Sequence, residues 1–96
     1  MAYRLTRAAE ADLISIYREG VILFGPEQAE AYFAALTASF ERLAAHPRMA
    51  RLRREIRPPV RLHPCGSHIV VYREAAGSID VLRIRHGRED WDAVDL

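Results

Sequence analysis

Between Arg7 and Phe24 apolar residues return at every third or fourth position, at Ala9, Leu13, Ile16, Tyr17, Gly20 and Phe24, with Arg18 and Glu19 falling between them. This period winds one apolar stripe along a helix and predicts α-helix over 7–24. Tyr3-Arg4-Leu5-Thr6 ahead of it alternates and predicts a short strand. Thr6 is placed to cap the helix, and Glu10 and Asp12 lie in its early turns, where the positive end of the helix dipole favours acids. Gly25-Pro26 ends this helix, and Pro26 is suited to begin another. Ala29, Phe33, Leu36, Phe40 and Leu43 then follow at spacings of 4, 3, 4 and 3, predicting a second helix to about His46. So short a junction turns the helices back on each other as an antiparallel hairpin. Both stripes then face one core, with Phe33 and Phe40 inside it.

Pro47 closes the helical half. Residues 47–59 hold five arginines, Pro58, Pro59 and few apolar residues, which predicts an exposed connector that builds no core. From Val60 the period shortens to two: Val60 to His63, His68 to Arg73 and Ile79 to Arg85 read as strands, with turns at Pro64–Ser67 and Glu74–Ser78. Turns of this length make hairpins, so the three strands form an antiparallel meander. The predicted class is α+β: a short N-terminal strand and an antiparallel two-helix hairpin packed on a three- to four-stranded antiparallel sheet.

Ninety-six residues accommodate a single domain spanning 1–96. A chain of this size buries only about two-thirds of its unfolded surface, so a bound partner would add materially to its stability. The sequence has no apolar run near the roughly 20 residues that cross a bilayer, and Met-Ala-Tyr-Arg-Leu-Thr-Arg at the start lacks the apolar centre of a signal peptide. The expected location is the cytoplasm, with no membrane partner. Cys65 is the single cysteine and can form no internal disulfide.

The net charge of +1 hides an uneven distribution. Residues 1–40 carry three arginines against five acids, and residues 41–61 carry seven against two, for +5. Glu89, Asp90, Asp92 and Asp95 make the last eight residues acidic. All fourteen cations are arginine, so lysine-dependent catalysis is excluded, while guanidinium forks suited to carboxylates and phosphates abound.

His63-Pro64-Cys65-Gly66-Ser67-His68 gathers three residue types that bind zinc. Proline and glycine make it a tight turn, and its spacing fits no common zinc motif, so neither a metal nor a cofactor is expected. Cys65 lacks the setting of a nucleophile and reads as a turn residue. On the last strand Leu82, Ile84 and His86 alternate with Val81, Arg83 and Arg85, setting two arginines side by side. Arg57, Arg61 and Arg73 come from neighbouring strands or their approaches, and Arg88 follows, which predicts a basic face opposite the helices with a negative partner. Trp91 is either a lid on the core edge or an exposed anchor.

Ala45-His46-Pro47-Arg48 closing the second helix, Arg57-Pro58 with Arg61 opening the sheet, Ser67-His68 through Tyr72-Arg73, and Arg83-Ile84-Arg85-His86-Gly87-Arg88 occur here in one order and spacing. In that order the chain resembles the ParE branch of the RelE/ParE toxins of bacterial toxin–antitoxin operons, over nearly its whole length. The resemblance implies a toxin that poisons DNA gyrase by binding and is neutralised by a ParD-like antitoxin in a hetero-oligomer, with no sequence-specific nucleic-acid recognition of its own. Their clustering at the end of the sheet and tail places Arg83, Arg85, His86, Arg88 and Trp91 toward the target, and their charge places Arg57, Arg61 and Arg73 toward the acids of the antitoxin. The sibling RelE group cleaves messenger RNA on the ribosome. For that alternative the chain offers Arg61, Arg73, Arg83 and Arg85 as phosphate clamps and His86 as proton carrier, but no lysine and no tyrosine in the tail, so the constellation is incomplete.

Overall fold

Thr6 accepts the Ala9 backbone N–H on its Oγ1 at 3.0 Å and donates from the same hydroxyl to the Leu82 carbonyl at 2.7 Å. The cap of the first helix is thereby pinned to the last strand. The computed structural model describes residues 3–88. These form β1 (Tyr3–Leu5), α1 (Arg7–Phe24), α2 (Pro26–Ala45), a 3-10 turn (Pro47–Met49), β2 (Leu52–Arg53), β3 (Val60–Cys65), β4 (His68–Ala75) and β5 (Ser78–His86). Gly25 alone joins the helices, at φ +90°, a backbone conformation that side chains resist, and Pro26 opens α2 directly after it.

The sheet has five strands in the order β1-β5-β4-β3-β2. The β3–β4–β5 meander is antiparallel as expected, and two edges extend it. β1 runs parallel to β5, with Tyr3 opposite Ile79 and Leu5 opposite Val81, so the sheet is mixed. Tyr3 and Leu5 both pack on the main core, which is what holds this short strand on the open ladder. At the far edge β2 pairs with the start of β3. Pro64 and Cys65 belong to β3 rather than to the turn, which shrinks to Gly66-Ser67.

The main core lies between the hairpin and the sheet. Ala9 and Leu13 of α1 and Leu36, Phe40, Leu43 and Ala44 of α2 meet Val70, Tyr72, Ile79, Val81 and Ile84 there. Phe24 and Phe33 depart from the predicted stripe: 62% and 39% of their surfaces remain exposed, because both sit where the hairpin overhangs a groove at the end of the sheet.

The connector also departs from expectation. Ile56 is buried against Val60 and Val71, with Leu62, Ile69 and Leu82 around them, so a second small core covers the sheet face away from the helices. The cause is the sheet itself, whose outer face carries too many apolar residues to be left in water. The strand alternation on β5 shifts as well. Val71 pairs with Arg83 and Tyr72 with Val81, leaving Leu82 in a bulge. Val81 and Ile84 therefore both face the main core while Leu82 joins the outer one.

Candidate functional site

The bulge settles where the predicted cations stand. Directly opposed residues of an antiparallel pair share a sheet face. Arg83 is opposite Val71 and Arg85 opposite Ile69, which keeps the two arginines on the outer face, and Arg73, the strand neighbour of the inward-facing Tyr72, lies on that face too. Arg61 is opposite Tyr72 and so lies on the helix-facing side. The expected single basic face holding Arg57, Arg61, Arg73, Arg83 and Arg85 is therefore divided. Arg57 is exposed in the connector before its cis peptide bond to Pro58.

Carboxylates and carbonyls hold the guanidinium groups of Arg61, Arg73 and Arg83. Arg83 makes a bidentate pair with Asp12 of α1, Nε to Oδ2 at 2.8 Å and an Nη to Oδ1 at 3.0 Å, and Asp12 also accepts the Ile84 backbone N–H at 2.9 Å. Beyond the end of β1, Asp12 thus occupies the β5 edge as a strand would. Arg61 donates to the Ala50 carbonyl at 2.6 Å and to Glu74 at 2.9 Å, while Arg48 reaches the same Glu74 oxygen at 3.1 Å. Arg73 pairs with Asp80 at 3.2 Å, which Arg4 also approaches. Arg88 is exposed and gives its backbone N–H to His86 Nδ1 at 3.2 Å. Trp91 lies outside the described residues.

His86 leads to the main concavity. It is paired directly with His68 across β4 and β5, their rings edge to face at 5.5 Å. Both line a groove of about 370 Å³ between the Gly25 end of the helix hairpin and the β3–β4 turn. Leu13, Ile16, Leu23, Phe24, Phe33 and Leu36 supply its apolar wall, and Glu19 and Gln28 its polar rim. Leu23 is 60% exposed, so the wall continues past the groove onto the surface.

Tyr32 of α2 organises the floor. Its hydroxyl lies 2.6 Å from His68 Nδ1, accepts the Ser67 backbone N–H at 3.1 Å and stands 3.2 Å from the Cys65 carbonyl. Burial, followed by the neighbouring His86, holds the His68 imidazole below its ordinary pKa and favours the neutral ring; Glu19 and Asp12 oppose the shift. Gly66 makes room for this arrangement. A Cβ there would come within 2.6 Å of the Tyr32 ring and hydroxyl, and its φ is +59°. Gly66→Ala is expected to cost about 2 kcal/mol or more, since the left-handed backbone and the clash both oppose it and three hydrogen-bond partners keep Tyr32 from yielding. A thermal melt checks this; a shift of a degree or less would show that the turn and Tyr32 are not tightly coupled.

Reading the sequence alone missed Tyr32, Asp12 and Glu74. Tyr32 is one residue off the α2 stripe, and its spacing carries no sign of a turn thirty-four residues away. His63, Cys65 and His68 do share the helix-facing side, but among the described residues no group of three or more histidines, cysteines or acids is placed to hold a metal ion.

A family model for the ParE toxin of the type II toxin–antitoxin system parDE matches residues 3–91. The chain belongs to the ParE toxin family. It is 42% identical over 91 residues to Toxin ParE1 of Mycobacterium tuberculosis, an alignment covering 94% of this chain and 93% of that one. With Toxin ParE1 of Caulobacter vibrioides it shares 37% identity over 84 residues, covering 88% and 86%. Among solved structures, a chain of the chromosomal ParDE system from P. aeruginosa superposes with a TM-score of 0.76 at 28% identity, covering 90% of this chain and 95% of that one. The ParE fold thus extends over nearly the whole chain.

Proposed function

We propose that this ParE-family toxin arrests growth by binding DNA gyrase in the cytoplasm, without covalent chemistry of its own, and that a ParD-like antitoxin holds it inactive. Membership of the ParE family across residues 3–91 is the observation that carries this reading. The antitoxin lays an amphipathic helix in the apolar groove and an extended arm along the sheet, where its acids meet Arg57 and Arg73. Arg61, with 14% of its side chain exposed, joins them by exchanging Glu74 for an antitoxin carboxylate. Arg85, His86 and Arg88 at the end of the sheet form the surface offered to gyrase, with Arg83 steadied beside them by Asp12, and Trp91, outside the described residues, is assigned to the same role.

The division of the cations supports binding over nuclease chemistry. Phosphoryl transfer needs its clamps and its proton carrier around one phosphate. Here Arg61 and Arg83 stand on opposite faces of the sheet, each already bonded, and His86 faces the groove. The deciding experiment incubates the purified chain with gyrase and DNA, and separately with translating ribosomes. Cleaved DNA trapped on gyrase, with message intact, is the expected result. Ribosome-dependent cutting abolished by His86→Ala, with supercoiling untouched, would replace this reading by the nuclease one.

A further inference from the structure

Among its apolar wall residues the groove carries a polar cluster that can exist in two protonation states. With His68 neutral and Nδ1 unprotonated, the Tyr32 hydroxyl donates to it across 2.6 Å. With His68 charged, Nδ1–H donates back to the Tyr32 oxygen, and the freed hydroxyl proton turns to the Cys65 carbonyl 3.2 Å away. The Ser67 N–H is accepted by the same oxygen in both states. Protonation thus adds a charge to the groove without leaving any of these groups unpaired.

We propose that the Tyr32–His68–His86 cluster makes occupancy of the groove proton-dependent, an apolar segment of the antitoxin being held while His68 is neutral and released when it is charged. This rests on the antitoxin reading above. The groups facing His68 are Tyr32 from α2, Glu19 and Asp12 from α1, and His86 from β5. Asp12 is committed to Arg83 and the Ile84 N–H, so the rim carboxylate of Glu19 is left as the counter-charge.

The sign follows from desolvation. In the free toxin His68 already titrates below the ordinary 6.5, chiefly through burial. A segment laid across it removes more water and lowers its pKa further, so the neutral ring binds better than the charged one. Affinity is level above the free imidazole's pKa and falls as pH drops through it, by up to about tenfold per pH unit until the bound pKa is reached. His86, adjacent and more exposed, adds like-charge repulsion in the same direction.

The test uses the full toxin and its ParD-like antitoxin. Affinity is measured at pH 7.5 and 5.0 for the parent and for His68→Asn, whose side-chain oxygen can still accept from Tyr32, each referred to its own value at pH 7.5. The parent is expected to weaken at least about threefold more than the variant. Proton NMR of the unaltered protein supplies a second reading, in which the His68 imidazole titrates at lower pH in the complex than in the free toxin. Equal pH slopes, or a titration midpoint unmoved or raised by the antitoxin, would overturn the proposal while leaving the antitoxin reading intact. Failure of the two proteins to associate at pH 7.5 would overturn both.

Discussion

Phe40→Ala is expected to cost about 3 to 5 kcal/mol, the range for deleting a fully buried aromatic ring whose cavity cannot collapse. Phe40 has no exposed surface and meets the Tyr3 ring edge-on at 5.3 Å, so the deletion also loosens β1. For a domain whose whole stability is on the order of 5 to 15 kcal/mol, that means a fall in Tm of roughly 12 °C or more and loss of toxicity through unfolding. Phe33→Ala, seven residues earlier on the same helix, is expected to cost under about 1.5 kcal/mol. Its ring is 39% exposed and leans on Tyr17 at 6.0 Å. Thermal melts of the two variants side by side decide the matter, and similar losses would mean that the groove is closed in solution.

Replacing Leu23 and Phe24 together by glutamine is expected to weaken antitoxin binding about a hundredfold and leave the free toxin's Tm within a few degrees. Both residues are more than half exposed on the last turn of α1, and glutamine keeps the helix without adding charge. If an amphipathic antitoxin helix covers them, each forfeits about 1.5 kcal/mol of apolar burial, and every 1.4 kcal/mol is tenfold in affinity. Calorimetric titration of the variant with antitoxin checks the figure. Unchanged affinity would move the antitoxin helix off this groove, whatever the melt shows.

Much of the architecture was legible in the residue pattern because local rules governed it. Thr6 capped α1, Gly25-Pro26 broke the hairpin, and the meander followed the period-two segments. What escaped depended on pairings between distant residues. Nothing near Tyr3 says that it will run parallel to a strand beginning at Ser78. The Leu82 bulge arises from register against Val71 and Tyr72, so simple alternation put Val81 and Leu82 on the wrong faces. Ile56 looked exposed because its neighbours are charged, although the strands it covers were themselves correctly read as apolar. At the site, residue type predicted that the arginines would seek anions. It could not say that Asp12 and Glu74 of this same chain would be among those anions.

The hydrogen bonding of β1 to β5 bears on how the protein comes into being. Tyr3 pairs with Ile79 and the Thr6 hydroxyl with Leu82, so the first described strand has no partner until β5 has been synthesised. During translation the helix hairpin can form early from local contacts, whereas sheet closure must wait for β5 and pays a large loop-closure entropy when it comes. Vectorial folding on the ribosome therefore delivers a hairpin with its apolar stripes bare and no finished groove. The nascent chain passes through a stage exposed to proteases and chaperones, and the native toxin exists only once β5 has locked β1 in place.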